Sequence, residues 1–171
     1  MNRRDSDSAS TYRRRFPRVA LCVKARLSAA SAKGASQFEA TLSTTNVSVG
    51  GVFFESTYFL KIGQSLHVEF ALPGTAKKVC AKGHVVRIES RDEGGRSKSG
   101  FAVRFDEYLE SSDLVLAQYF LEPQLRGFMK EYTHRQGLKL SREQMDFVVD
   151  ALAAWELEKA DAVANPWSDH G

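Results

Sequence analysis

Four arginines lie within six positions in the stretch RRRFPR: Arg13, Arg14, Arg15 and Arg18. A guanidinium group is planar and always charged, and it can donate two parallel hydrogen bonds to the oxygens of one phosphate or carboxylate. Arg14 and Arg18 are spaced as R-x-x-x-R, directly before the first apolar, alternating segment. This chemistry fits a solvated basic tail, a nucleic-acid arm or a site for one particular anion, and the arginines alone leave all three open.

The positive charge of the chain is concentrated at its N-terminus. Residues 1–18 contain six arginines and two aspartates, whereas the whole chain carries a net charge of only +3. The remainder is therefore close to neutral, which suggests that an anionic partner meets the N-terminal segment. Residues 1–11 are polar and rich in serine, without periodicity, and are expected to form a disordered tail.

A second group of polar residues lies in the stretch NVSVGGVFF, where Asn46, Ser48 and Gly51 are spaced as N-x-S-x-x-G. Asn and Ser side chains can hydrogen-bond to nearby backbone, and glycine permits either a positive φ or the close approach of another group. The stretch lies between two strand-like segments. Taken alone, it predicts nothing more specific than a β-turn.

Six short segments between these turns are rich in Val and Phe or alternate between apolar and polar residues, which is the period of a strand. Clusters of Gly, Pro and charged residues separate them, as expected between strands. Six strands at this spacing favour a small antiparallel barrel or sandwich. The segments are residues 19–28, 38–48, 51–56, 65–72, 79–90 and 100–105.

After Phe105 the pattern changes to that of helices. The first is expected from about Ser112, with Ser111 or Ser112 as its N-cap. A second is expected to begin at Pro123, a residue that suits the first turn of a helix, and to end at Gly137. A third is expected from the capping box that begins at Ser141 and is completed by a glutamine, and to continue to about residue 164.

The last helix carries an apolar stripe at helical spacing, formed by Met145, Val148, Leu152 and Trp155. The simplest expectation is that this stripe packs on the preceding helix. The alternative is that it forms a partner surface or a seam for self-association.

The two motifs, in this order, resemble the hallmark of the PilZ domain, the bacterial receptor family for cyclic di-GMP. That family has RxxxR ahead of the first barrel strand, followed by (D/N)xSxxG. The segments KGHVVRI (82–88) and SGFAVRF (99–105) resemble its last two strands, and the helix from about Asp113 resembles its closing helix. The resemblance covers about residues 12–121. It implies a mainly β fold, a six-stranded antiparallel PilZ-type barrel followed by α-helices, with residues 122–171 as a helical extension.

The resemblance implies a cyclic di-GMP site at the matching positions: Arg14, Arg18, Asn46, Ser48 and Gly51. The two arginines would clamp guanine and phosphate, because the guanidinium fork matches phosphate oxygens and also the O6/N7 edge of guanine. Asn46 and Ser48 would complete the floor of the site, and Gly51 would let the backbone approach the ligand.

Arg13 and Arg15 stay open, since one could add a contact or both could be solvated. The expected mechanism is that ligand binding orders the arginine-rich segment over the barrel mouth, which changes the surface presented to a partner. The expected partner is a protein effector, contacted through the C-terminal helices or the ligand-bound face, or a second copy of the chain. An adaptor of the same fold that ignores the nucleotide is the alternative.

Several other functions are disfavoured by the sequence. No apolar run is long enough to span a membrane, and MNRRDSDSASTY lacks the apolar segment of a secretory signal, so a cytoplasmic chain is expected. The four scattered histidines and two separate cysteines predict no metal site, and no cofactor is expected. The chain has no recognisable catalytic motif, and the barrel segments lack the aromatic and basic stripe of a nucleic-acid binder.

Overall fold

The computed structural model describes residues 18–30, 36–90 and 98–164, which form seven strands followed by two helices. The arginines Arg13, Arg14 and Arg15 and the expected tail at residues 1–11 lie outside the described residues. The strands are β1 (Val19–Ala20), β2 (Lys24–Ala30), β3 (Ser36–Ser48), β4 (Gly51–Glu55), β5 (Ser65–Ala71), β6 (Lys78–Glu89) and β7 (Gly100–Leu109). The helices are α1 (Ser112–Arg135) and α2 (Arg142–Ala164).

Six of the strands close into an antiparallel barrel. The hydrogen-bonded order is β3, β2, β5, β6, β7 and β4, and a further pairing of β4 with β3 completes the circle. The short strand β1 lies outside the barrel, paired with β3. The prediction of a six-stranded antiparallel barrel followed by helices is therefore confirmed, with one outside strand added. Closure leaves few unpaired strand edges, which suits a domain of this size.

The barrel interior is filled by alternate residues of its strands. On β5, Leu66, Val68 and Phe70 are buried while His67 between them is exposed, which is the period-two pattern of a strand with one wet face. Each buried side chain of this size stabilises the fold by about 1.5–3 kcal/mol relative to an exposed one. The N-terminal half of α1 covers one side of the barrel and adds Leu116 to the core.

The segment predicted as one strand over residues 19–28 is instead two. The chain leaves β1 after Ala20 and enters β2 at Lys24, and Leu21 between them is buried in the barrel core. The prediction of a single strand was wrong because alternation continues through the break. A period-two pattern predicts which side chains face the core, but it does not predict whether the backbone hydrogen-bonds to a neighbouring strand.

The helical region contains two long helices, and the expected break at Pro123 is absent. Proline in a helix interior removes one backbone hydrogen bond and crowds the carbonyl four residues earlier, at a cost of about 3 kcal/mol. The helix is held on both sides of that position. Leu116 and Phe120 pack on the barrel before it, and Met129 and Thr133 are buried after it. Tertiary packing thus overrides the local preference.

The helix ends lie where the sequence predicts them, but only α2 has the expected side-chain cap. The Ser141 amide donates to Gln144 Oε1 at 2.9 Å, and the Gln144 amide donates to Ser141 Oγ at 3.2 Å, which confirms the capping box. Gly137 follows α1 with φ of +66°, as expected for a glycine that ends a helix. Ser111 occupies the N-cap position of α1, as predicted, but its side chain makes no cap hydrogen bond. Ser112 Oγ accepts a hydrogen bond from the Cys80 amide at 3.0 Å.

The stripe expected to pack on α1 is not the one that α2 buries. Val149, Ala153 and Leu157 are buried, whereas Trp155 is 54% exposed. The rest of the predicted stripe is half-buried. The helix is apolar on more than one side, so the sequence pattern could not identify which side meets α1. Within the described part of the chain, neither helix is long and apolar enough to cross a membrane.

Candidate anion-binding site

The second motif forms the tight hairpin between β3 and β4. Ser48 ends β3 and pairs with Gly51, the first residue of β4, and the two residues between them form the turn. Ser48 Oγ donates a hydrogen bond to the Gly51 carbonyl oxygen at 3.3 Å. The motif is therefore the polar β-turn that its composition predicts, and its side chains have fixed positions on a barrel strand.

A β-bulge in β3 decides which way these side chains point. Thr44 pairs with Phe54 and Asn46 pairs with Phe53, so Thr45 is the extra residue. Before the bulge, the even-numbered side chains of β3 point into the core, and Thr44 is buried. After the bulge, the odd-numbered side chains do so, and Val47 is buried. Asn46 and Ser48 consequently lie half-buried on the outer surface. Without the bulge, Asn46 would point into the core on the side of Thr44.

Strand β1 brings Arg18 to this surface. Val19 pairs with Val47 and Ala20 pairs with Asn46, so continuing the register by one residue puts Arg18 level with Ser48. Directly opposite residues of an antiparallel pair share a face of the sheet, and Arg18 is exposed. The second arginine of the RxxxR motif therefore lies beside the serine of the other motif.

The hydroxyl of Thr44, on β3, hydrogen-bonds to the segment that connects β1 to β2. Thr44 Oγ1 donates to the Leu21 carbonyl at 2.5 Å and accepts from the Val23 amide at 3.0 Å. The Thr44 amide also donates to the Val23 carbonyl at 2.9 Å. No motif in the sequence singles out Thr44. Its only signal is that alternation stops within STTN, where the bulge lies.

The hairpin turn is also anchored to β7. A Cβ atom on Gly51 would lie 2.4 Å from the Val103 carbonyl oxygen, so only glycine allows β4 to approach β7 here. The Phe105 amide donates to the Gly50 carbonyl at 3.1 Å, and the Tyr108 hydroxyl donates to the Val49 carbonyl. Of the two uses expected for the motif glycine, close approach is the one found, since Gly51 has no positive φ.

Burial changes the pKa of Tyr108, whose hydroxyl holds this turn. Desolvation, with a smaller contribution from the charge of Asp113, raises the pKa of Tyr108 well above its ordinary value near 10. Tyr108 therefore stays protonated over the physiological range and remains a hydrogen-bond donor to the turn.

Strand pairing aligns five residues in one row across the outer surface. Ser48 pairs with Gly51, Gly51 with Arg104, and Arg104 with His84. Neighbouring strands are about 4.8 Å apart, so the backbones of Arg18 and Arg104 lie about 14 Å apart with the motif between them. We call this alignment the outer row; it consists of Arg18, Ser48, Gly51, Arg104 and His84.

Arg104 was missed by the sequence reading, which assigned SGFAVRF only to a strand. Its side chain is 64% exposed, and its Nε lies 3.6 Å from Asp106 Oδ1. Asp106 makes a closer contact with His84, 2.6 Å from Oδ2 to Nδ1. The carboxylate is thus held mainly by the histidine, and Arg104 presents a cation beside Gly51.

A shallow depression on another part of the barrel differs from the outer row in its charges, and we call it the contrasting depression. It encloses about 220 Å³ and is lined by residues that include Arg26, His67, Glu69 and Cys80. Its arginine is paired with Glu39 at 2.6 Å. The mixed charge of this surface makes it a poor site for an anion. Among the described residues, no group of three or more His, Cys, Asp or Glu side chains could hold a metal ion.

Comparison with known families gives one match that spans most of the chain. The model of the family described as PilZ domain matches residues 12–122. That range includes both motifs and all seven strands, and it ends within α1. A comparison with curated proteins found no match.

Solved structures with the same fold were found at low sequence identity. The Bacillus subtilis inhibitor of motility (MotI/DgrA) has 20% identity and a TM-score of 0.52, covering 66% of this chain and 51% of that one. The K. pneumonia MrkH–c-di-GMP complex has 17% identity and a TM-score of 0.50, covering 69% and 55%. The chain thus spans about half the length of these two proteins, and at these identities the likeness shows the fold alone.

A third structure is the PilZ domain of YcgR from Escherichia coli with c-di-GMP. It has 14% identity and a TM-score of 0.45, and the match covers 73% of this chain and 98% of that chain.

Proposed function

This chain belongs to the PilZ domain family, and we propose that it is a receptor that binds cyclic di-GMP on the outer row. The observation that carries the proposal is the alignment of Arg18 with Ser48 and Gly51, which joins the two motifs on one exposed surface. Family membership supports the choice of ligand, because proteins of this family are cyclic di-GMP receptors.

The ligand has two phosphates and two guanines, and the surface offers groups that suit both. Arg18 can form two parallel hydrogen bonds with a phosphate or with the O6/N7 edge of guanine. Asn46 and Ser48 offer short polar side chains beside it, and Arg104 adds positive charge across Gly51. Arg14 would clamp the ligand with Arg18, and Arg13 or Arg15 would add a contact or stay solvated. These three lie outside the described residues.

The binding unit of this proposal is residues 12–121, with residues 122–171 as its extension. Binding would order the arginine-rich segment over the outer row, and the altered surface would signal to a partner protein. Because α1 is continuous from Ser112 to Arg135, it would connect the barrel rigidly to the extension. We assign no catalytic step.

Calorimetric titration tests the choice of ligand. We expect the wild type to bind cyclic di-GMP in preference to GTP and cyclic di-AMP. Loss of a charge-assisted hydrogen bond costs about 1.5–3 kcal/mol, so Arg14→Ala and Arg18→Ala should each weaken binding roughly 10- to 100-fold. Arg26→Ala is the matched control, since Arg26 is an exposed arginine beside the contrasting depression. If the wild type shows no preference for cyclic di-GMP, the receptor proposal fails.

Trypsin cleavage after Arg13, Arg14 and Arg15 tests the proposed ordering. We expect saturating cyclic di-GMP to protect these three bonds, because an ordered segment cannot enter the protease active site. Equal cleavage rates with and without ligand would contradict the ordering mechanism while leaving ligand binding intact.

The second candidate is a protein-interaction adaptor of the same fold that does not bind the nucleotide. It is favoured by the exposed aromatic side chains on the helices, among them Phe128 and Trp155. A chain that fails the titration above but retains a protein partner would support this candidate.

A further inference from the structure

The two helices form a hairpin whose packing seam is defined by buried residues. Met129 and Thr133 of α1 and Val149 and Ala153 of α2 are each less than 10% exposed. An ion pair between Arg126 and Asp146, 2.5 Å from Nη2 to Oδ1, lies along the same seam. These contacts fix the direction in which each helix faces the other.

A continuous apolar face lies about a quarter turn away from this seam. Successive residues of a helix are rotated by about 100°, so positions one quarter turn from the seam can be assigned on each helix. Because α2 runs antiparallel to α1, a rotation of the same sense on both helices leads to one side of the hairpin. We call this side the hairpin face; it consists of Leu121, Leu125, Phe128, Tyr132, Met145, Val148, Leu152 and Trp155.

The hairpin face is incompletely covered. Phe128, Tyr132 and Trp155 are 59%, 48% and 54% exposed, and the other five residues are half-buried. The rings of Phe128 and Tyr132 stack at 6.1 Å, and Lys159 Nζ lies 3.7 Å from the centre of the Trp155 ring. The barrel lies on another side of α1, where Leu116 and Phe120 enter its core.

The exposed apolar area of the hairpin face matches the centre of a protein interface rather than the whole of it. An aromatic side chain buries about 150–250 Å² when fully covered, so three that are about half exposed contribute roughly 300 Å². The five half-buried apolar side chains extend this area. A stable interface needs about 800 Å² per partner, so the polar rim around the face has to supply the remainder. Exposed apolar patches of this size on a single chain mark interaction sites.

The charges around the hairpin face are compatible with a second copy of the chain as its partner. The centre of the face has no charged residue, and charged side chains at its border are paired within the hairpin. Glu131 pairs with Arg135, and Glu156 with Lys159 at 2.6 Å. Arg126 bridges two carboxylates, Glu122 and Asp146. A neutral face that presents no net charge does not repel an identical face, whereas it offers nothing to select a charged foreign partner.

We propose that the hairpin face binds the hairpin face of a second copy of this chain, forming a twofold dimer through an antiparallel four-helix arrangement. A twofold axis places the same patch on both sides of an interface, so each aromatic residue is used twice. The same axis relates the two barrels, one attached to each copy of α1. The proposal concerns assembly and does not depend on the ligand.

Sedimentation velocity on the full chain tests the proposal, over about a hundredfold dilution range. We expect a species of twice the chain mass at the higher concentrations. Phe128→Glu and Tyr132→Glu should each weaken association at least about 100-fold, because each places two unpaired charges in an apolar interface. Phe147→Glu is the matched control: Phe147 is 74% exposed on the other side of α2. Circular dichroism checks that each variant is folded.

Two outcomes would overturn the proposal. If the wild type is monomeric at every concentration, the hairpin face does not bind a second copy. If deletion of residues 165–171 then produced a dimer, the occupant would be that segment of the same chain. Dissociation by Phe147→Glu as strong as that by Phe128→Glu would locate the interface elsewhere. Titration of the same variants with cyclic di-GMP separates this result from the proposed function, since they should bind it like the wild type.

Discussion

Replacing Gly51 by alanine would force β4 away from β7 at the point where the second motif begins. The added methyl carbon would lie 2.4 Å from the Val103 carbonyl oxygen and 3.3 Å from Arg104 Cα. Both are backbone atoms of a paired strand, so neither can move as a side chain would. Gly50 next to it offers a matched control, since a Cβ there would have Ser48 Oγ at 3.9 Å as its nearest neighbour.

The size of the effect follows from that geometry. An ordinary contact of a Cβ atom begins at about 3.4 Å, so the strands must separate by about 1 Å. Overpacking of this kind costs about 1–3 kcal/mol. For a chain of this length, that loss lowers the melting temperature by roughly 3–9 °C. Gly50→Ala should change stability by less than about 1 kcal/mol, because it restricts the unfolded chain without a clash.

Thermal and urea unfolding, followed by circular dichroism, measure both variants. Gly51→Ala should also weaken cyclic di-GMP binding at temperatures where it is fully folded, because it moves Ser48 relative to Arg104. If Gly51→Ala were no less stable than Gly50→Ala, the reasoning that close approach to β7 requires this glycine would be refuted.

Three further predictions concern the residues that hold the site in place. Thr44→Val should lower the free energy of unfolding by about 1–3 kcal/mol, measured in urea, because it leaves the Leu21 carbonyl without its donor; Thr44→Ser should retain most of that stability. Burial raises the pKa of Tyr108 in the folded protein, so the tyrosine stabilises the fold below about pH 10 and this stabilisation is lost as the pH rises further. Tyr108→Phe should therefore flatten the decline in the free energy of unfolding measured between about pH 9 and 11. A decline equally steep in the variant would contradict this assignment. Pro123→Ala should raise stability by about 1–3 kcal/mol, since it restores a helical hydrogen bond at an exposed position, and a less stable variant would show that the proline is accommodated without cost.

Most of the barrel could be predicted from the sequence, because its strands carry the period-two signal directly. The turn at Ser48 and Gly51 was also readable, since glycine and short polar residues mark turns. The capping box at Ser141 and the glycine at Gly137 are local signals as well, and both are confirmed. These features share one property: the residues that determine them are adjacent in the chain.

The missed features depend on contacts between residues that are distant in the chain. The bulge at Thr45 and the bridging hydroxyl of Thr44 exist because β1, β3 and β4 meet there. Arg104 joins the site through its pairing with Gly51, which no spacing in the sequence reveals. Pro123 remains inside a helix because the barrel holds one half of α1 and α2 packs on the other.

Chemical-shift mapping of the amide resonances during titration with cyclic di-GMP would locate the ligand on the barrel surface. We expect the largest changes at Arg18, Asn46, Ser48, Gly51 and Arg104, which share one outer surface. Amides beside the contrasting depression, at residues 67–69 and 80–81, should stay unchanged. Changes centred on that depression, or no changes at saturating ligand, would rule out binding on the outer row.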